Sequence, residues 1–258
     1  ERFVIFGGRN FQDTWALPVA APLSWSPIDS PHRPPSPPAA QVAVWDAPRD
    51  RMIVLGGEGW DDPTMSDVRS LSLTGEPVWT VLTPAGTEPA GRADAGAIFD
   101  PVRERMVVFG GREGSNANLL AEVRALSLAG PPAWTVLPQG GHPPGKRSSA
   151  TTIYDPVRDR MILFGGYDGA LDYHNDVFAY DLGSGSWQRL FPAGSPPAPR
   201  IEHSAVYDPV RDRMLVIGGY DRVTGFLNSV WALSLAGSGE WSQLAIVDAP
   251  PPTRDAAA

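Results

Sequence analysis

The chain has no cysteine, and that absence removes disulfides, thiolate zinc sites and cysteine nucleophiles together. It fixes no compartment, because oxidising spaces also hold cysteine-free proteins. Lysine is nearly absent as well: Lys146 is the only one, and arginine supplies the remaining positive charge. With a formal net charge of −8, the chain lacks the basic footprint of a nucleic-acid binder, so no nucleic-acid partner is expected. No apolar run approaches the roughly 18 residues that a membrane helix needs, and no basic-then-apolar leader is visible. A soluble protein with no membrane span is therefore expected. Localisation stays open, with a secreted or cell-envelope setting slightly favoured.

Glycine and proline, by contrast, are abundant. There are 27 glycines and 28 prolines in 258 residues that are still 42% hydrophobic, a balance that suits many short strands and tight turns rather than disorder. An all-β class follows.

Self-similarity organises the strands. An apolar residue followed by two glycines occurs at Phe6-Gly7-Gly8, Leu55-Gly56-Gly57, Phe109-Gly110-Gly111, Phe164-Gly165-Gly166 and Ile217-Gly218-Gly219. Four of these pairs follow one hairpin phrase, in which an aromatic residue and Asp lead through Pro and Arg to Arg-Met and an apolar run; its copies start at Trp45, Phe99, Tyr154 and Tyr207. Asp bonds its own backbone and Pro presets φ, so Asp-Pro-Val-Arg at Asp100, Asp155 and Asp208 predicts a turn between two strands. A variable loop follows each Gly-Gly, then an alternating third strand, then a fourth strand opened by Trp25, Trp79, Trp134, Trp187 or Trp241.

Four strands per unit, with Gly-Gly ending the second and Trp opening the fourth, resemble the kelch repeat along essentially the whole chain. The resemblance implies an all-β, kelch-type β-propeller of five four-stranded blades forming a single domain over 1–258. The units are expected at 1–37, 38–91, 92–146, 147–199 and 200–253, with 254–258 starting a closing strand. The first unit lacks its first strand, and Arg254 to Ala258 aligns with the opening of one, so this C-terminal strand is expected to complete the N-terminal blade. A fragment of a six- or seven-bladed propeller is the alternative.

In such a meander the short Asp-Pro turns share one face and the long, unequal loops after Gly-Gly share the other. Variable loops on a rigid frame are where sites are built, so function is expected on the loop face. Its inventory includes Trp60, Tyr173, His174, Tyr220, Asp221, Arg222 and Phe226, with His203 beside it. Trp60 is the one tryptophan outside a recurring strand position. Arginines recur there too: Arg92, Arg147 and Arg200 open first strands, and Arg9 and Arg112 follow a Gly-Gly. Resemblance to ligand-binding kelch domains implies that arginines at these positions grip acidic groups; the residues alone equally allow them to tie blades together. Blade two departs, with Pro38 at the aligned position.

The expected ligand-binding set is thus Arg9, Trp60, Arg92, Arg112, Arg147, Tyr173, His174, Arg200, His203 and Tyr220. No catalytic residue, metal ligand or cofactor is assigned, because the calcium-loop, phosphate-loop and nucleophile-elbow patterns are missing. Galactose-oxidase-like copper chemistry needs a cysteine and fails here. The expected function is a non-catalytic binding and interaction scaffold for a protein segment, glycan or cell-envelope component on the loop face. A kelch-type pocket enzyme acting on a sugar or small polar substrate is the alternative.

Overall fold

The computed structural model describes residues 2–7, 13–30, 39–59, 64–114, 118–170 and 172–247. They form five small antiparallel sheets set around one axis, a five-bladed β-propeller. The first blade holds β1 (Arg2–Phe6), β2 (Thr14–Pro18) and β3 (Ser26–Pro27). The second holds β4 (Val42–Asp46), β5 (Arg51–Leu55), β6 (Val68–Ser72) and β7 (Val78–Leu82), and is followed by the short β8 (Ala85–Gly86). In the third are β9 (Gly96–Asp100), β10 (Arg105–Phe109), a loop hairpin of β11 (Arg112–Glu113) and β12 (Asn118–Leu119), then β13 (Val123–Ser127) and β14 (Ala133–Val136). β15 (Gly140–Gly141) leads to the fourth blade, β16 (Thr151–Asp155), β17 (Arg160–Phe164), β18 (Val177–Asp181) and β19 (Ser186–Leu190). The fifth comprises β20 (Ser204–Asp208), β21 (Arg213–Ile217), the hairpin β22 (Tyr220–Asp221) and β23 (Gly225–Phe226), β24 (Val230–Ser234) and β25 (Glu240–Leu244). No α-helix occurs among the described residues, only a 3₁₀ turn at Ala47–Arg49.

Neighbouring first strands, β4 with β9, β9 with β16 and β16 with β20, run beside one another and so face the axis. The chain leaves a blade on its outer strand and crosses to the outer strand of the next, where β8 pairs parallel with β14 and β15 with β19. It then turns inward to the next first strand.

The Asp-Pro turns form as the sequence predicts. Asp100 Oδ1 accepts the backbone N–H groups of Val102 and Arg103, and Asp155 and Asp208 repeat the arrangement. In blade two the proline sits one place later, and Asp46 meets Arg49 and Arg51 as the other three aspartates meet their own arginine pairs.

The sheets carry apolar residues on both faces and stack on one another from blade one to blade five. The residue before Gly-Gly in one blade meets the outer-strand Trp of the next: Phe6 with Trp79 at 4.5 Å between ring centres, Phe109 with Trp187 at 5.1 Å, and Phe164 with Trp241 at 5.1 Å. Leu55 and Trp134 share the corresponding cluster between blades two and three. Stacking neighbours therefore builds the core, which no single blade can do. Trp25 departs from the pattern: it lies just before β3 and is 49% exposed. In the first blade β1 ends the sheet, and Phe3 and Ile5 are exposed where their counterparts Met106 and Val108 are buried. The closing strand expected from Arg254 to Ala258 lies outside the described residues.

Candidate functional site

Where a second strand ends, the chain must turn sharply against the blade beside it. Gly110 has φ of +66°, and a Cβ there would stand 2.6 Å from the carbonyl oxygen of Arg147. The glycines permit a backbone lattice: Gly57, Gly111 and Gly166 donate N–H to the carbonyls of Arg92, Arg147 and Arg200. Those three residues donate their own N–H groups back to Met65, Leu120 and His174 in the same loops. The loops of blades two, three and four are thereby stitched to the next blade's first-strand lead-in, which gives that part of the loop face a fixed base.

The recurring arginines lie inside this lattice. Arg92, only 1% exposed, donates to the carbonyls of Ala90 and Gly110 and to Glu122 Oε1 at 2.6 Å. Arg147 repeats this with Gly145, Gly165 and Asp176 Oδ1 at 2.7 Å. Arg200 reaches Ala198 and Gly218, but Ser229 stands where the others find a carboxylate. The consequence is electrostatic: burial pulls the Arg200 guanidinium down to about 10, with Asp221 opposing. Burial also lowers Arg92, against the pull of Glu122. Arg112 spans two blades, with Glu58 and Asp94 both at 2.7 Å, and these partners raise its pKa despite burial. Bidentate recognition needs free N–H edges, and these four guanidiniums direct theirs to groups of the protein itself.

His203 is equally enclosed. It is 4% exposed, its Nε2 lies 2.8 Å from Thr151 Oγ1, and its ring meets Phe164 edge-on. Burial, with Arg200 nearby, pushes its pKa down to about 3, so the ring is neutral at physiological pH. It has neither the access nor the basicity for general acid–base work near neutrality.

A different group reaches solvent. Tyr167, Tyr173, Tyr220 and Phe226 form a chain of edge-to-face rings across blades four and five, with centres 5.9, 6.3 and 5.3 Å apart. Backbone pairing sets them in line, since Tyr167 bridges Tyr173 and Tyr220 opposes Phe226 in the β22–β23 hairpin. Arg222, at that hairpin's tip, lies over the Tyr173 ring with its Cζ 4.6 Å from the centre. His174 Nε2 stands 3.1 Å from Asp168 Oδ2, close but not aligned for a hydrogen bond. Hydrogen bonding from the Ala170 N–H, ahead of the His174 contribution, holds Asp168 below its ordinary value.

Of the ten expected residues, the structure brings Tyr173, His174 and Tyr220 together on the loop surface and sets Arg92, Arg112, Arg147, Arg200 and His203 in the framework beneath. Arg9 and Trp60 lie outside the described residues. The aromatic chain's continuity was not readable from sequence: Tyr167 and Tyr173 sit in the blade-four loop, Tyr220, Arg222 and Phe226 in the blade-five loop, and only the fold brings the two loops together. Among the described residues, no group of three or more His, Asp or Glu side chains is placed to hold a metal ion.

Known proteins share this architecture. Over 158 residues the chain is 30% identical to Leucine-zipper-like transcriptional regulator 1 homolog of Drosophila melanogaster, covering 58% of this chain and 15% of that one. Adagio-like protein 1 of Oryza sativa subsp. japonica is 28% identical over 271 residues, covering 96% of this chain and 39% of its own length. The chain thus spans well under half of each of these relatives. A solved structure, that of YjhT, superposes with a TM-score of 0.66 at 18% identity, covering 87% of this chain and 69% of YjhT. Residues 102–258 match the KLHDC2/KLHL20/DRC7 Kelch-repeats domain, and with the recurrent Gly-Gly and Trp positions this establishes that the chain belongs to the kelch-repeat family.

Proposed function

We propose that this chain is a non-catalytic interaction scaffold that recognises a protein segment through its loop face. The observation that carries the reading is the division of labour on that face. Charged groups of the ring are paired within the protein, whereas a line of tyrosine and phenylalanine rings on blades four and five is half-open to solvent. Tyrosine and arginine are enriched at the energetic centres of protein contact surfaces, because each offers large contact area together with a polar tip. The kelch fold is commonly a protein-interaction scaffold. A glycan or cell-envelope component would meet the same rings.

The reading is tested by mapping binders. Peptides selected from a displayed library on the whole chain are expected to lose affinity at least tenfold with Tyr173→Ala or Tyr220→Ala, and to be unaffected by Arg211→Ala on the turn face. Thermal stability should be nearly unchanged in all three. Binders that depend on the turn face and ignore the loop face would overturn it.

A further inference from the structure

Arg222 differs from every other arginine described on the loop face. Arg92, Arg112, Arg147 and Arg200 donate to carbonyls and to carboxylates or a hydroxyl of the protein. Arg222 is exposed, and its recorded contact is with the ring face of Tyr173. Among the described residues it has no hydrogen-bond acceptor and no ion-pair partner. A guanidinium whose carbon lies over an aromatic ring carries its N–H donors in its own plane, at its edges, where they can meet a ligand.

Its position is prearranged by the turn that carries it. Asp221, 5% exposed, accepts the backbone N–H groups of Val223 and Thr224 and the Thr224 hydroxyl, which locks the β22–β23 hairpin. The Asp221 carboxylate spends its acceptor positions on that turn and forms no ion pair with Arg222. Asp168 of the blade-four loop accepts from the Ala170 N–H and lies 3.1 Å from His174 Nε2. The same hairpin carries exposed apolar side chains, Val223 at 94% exposure and Phe226 at 42%. A rigid cation on an aromatic bed, flanked by open apolar area, has the composition of an interface hot spot.

We propose that Arg222, held on Tyr173, is the anchor of a carboxylate-binding subsite that takes an Asp or Glu side chain of a partner protein flanked by an apolar residue. This rests on the scaffold reading above and specifies its partner. The carboxylate accepts two N–H bonds from the free edge of Arg222, and the apolar neighbour packs on Phe226 and Val223. Acid recognition is thereby assigned to a hairpin tip rather than to the ring of framework arginines, whose donors are spent.

Random dodecapeptides displayed on phage, panned against the whole chain, test this. Enriched sequences are expected to share an Asp or Glu next to an apolar residue. Synthetic copies should lose at least tenfold in affinity when Arg222→Ala is made in the protein, and by a similar factor when the peptide's acid is replaced by its amide. The two changes together should cost little more than either alone. Arg222→Ala should leave the melting temperature unchanged, which separates a ligand contact from a structural one. Peptides without an acidic residue, peptides indifferent to Arg222→Ala, or a library yielding no binder would each overturn the subsite. If indifferent peptides are nonetheless lost with Tyr220→Ala, the loop-face reading stands and the subsite alone falls. Binders that ignore every loop-face substitution sink both. Glycan-array binding that requires Tyr173 and ignores Arg222 also overturns the acidic-peptide assignment.

Discussion

Arg103 reaches from the turn of blade three to Asp159 in the turn of blade four, with its Nη2 2.7 Å from Oδ2. Arg158 repeats the reach to Asp212 at 2.8 Å, and Arg49 pairs with Glu104, so the turn arginines of blades two, three and four are each tied to an acid in the next turn. On the near side the same guanidiniums hold Asp100, Asp155 and Asp46, all fully buried. The turn face is therefore a relay of ion pairs running one way round the ring.

The two kinds of carboxylate in that relay should differ in weight. Asp155 is buried and accepts two turn N–H groups and two arginines, so Asp155→Ala strands several donors and is expected to cost about 3 to 5 kcal/mol. Asp159 is more than a third exposed, and its pair with Arg103 is worth about 0.2 to 1 kcal/mol after solvent screening. Urea unfolding of Asp155→Ala and Asp159→Ala separates the two; equal losses would contradict the burial argument.

Acid should destabilise the protein in two stages. His203 is held near 3 in the folded chain against an ordinary 6.5, so the unfolded state binds the extra proton between those values. Stability is thus complete above about pH 6.5 and falls as pH drops. At about 1.4 kcal/mol per pKa unit, the loss is on the order of 3 kcal/mol by pH 4. Asp159, held down first by Arg103, and Asp212, held down first by Arg158, act in a lower window. Their contribution is present above their ordinary 3.8 and disappears as pH falls through the depressed folded values. Denaturation at pH 7, 6, 5 and 4 should show the first stage, and His203→Gln should flatten it.

Tryptophans of the same repeat position should not be equivalent. Trp187 is 2% exposed against Phe109 and Tyr180, so Trp187→Ala is expected to cost about 3 to 5 kcal/mol. Half-exposed Trp25 should cost under about 1 kcal/mol. Denaturation midpoints of the two variants would refute this if they shifted alike.

Gly110→Ala should destabilise the chain by more than about 1 kcal/mol, because both the left-handed backbone and the Arg147 carbonyl oppose a Cβ. Gly130, with open space around it, provides the control: Gly130→Ala should be nearly neutral in the same melting assay.

The kelch repeat was legible because its signals are local and recur. A turn built by Asp100 and Pro101, a Gly pair that admits positive φ, and alternating apolar strands each act within a few residues, so sequence alone laid out five repeat units and the division into turn face and loop face. Outer-strand positions were readable for Trp79, Trp134, Trp187 and Trp241 for the same reason. At Trp25 the local signal was present, but the outer strand is only Ser26–Pro27 and the indole stays half exposed.

Which arginines are free was decided by tertiary structure. Arg92, Arg147, Arg200 and Arg222 are chemically identical, and their spacing in sequence says nothing of the carbonyls and carboxylates that arrive from other strands. Packing placed Gly110, Gly165 and Gly218 against the first three guanidiniums and left the fourth lying on a tyrosine of the neighbouring blade. The physical reason is that a local pattern fixes backbone geometry through short-range sterics and hydrogen bonding, while the fate of a long charged side chain depends on desolvation and on partners that only the folded ring brings within reach.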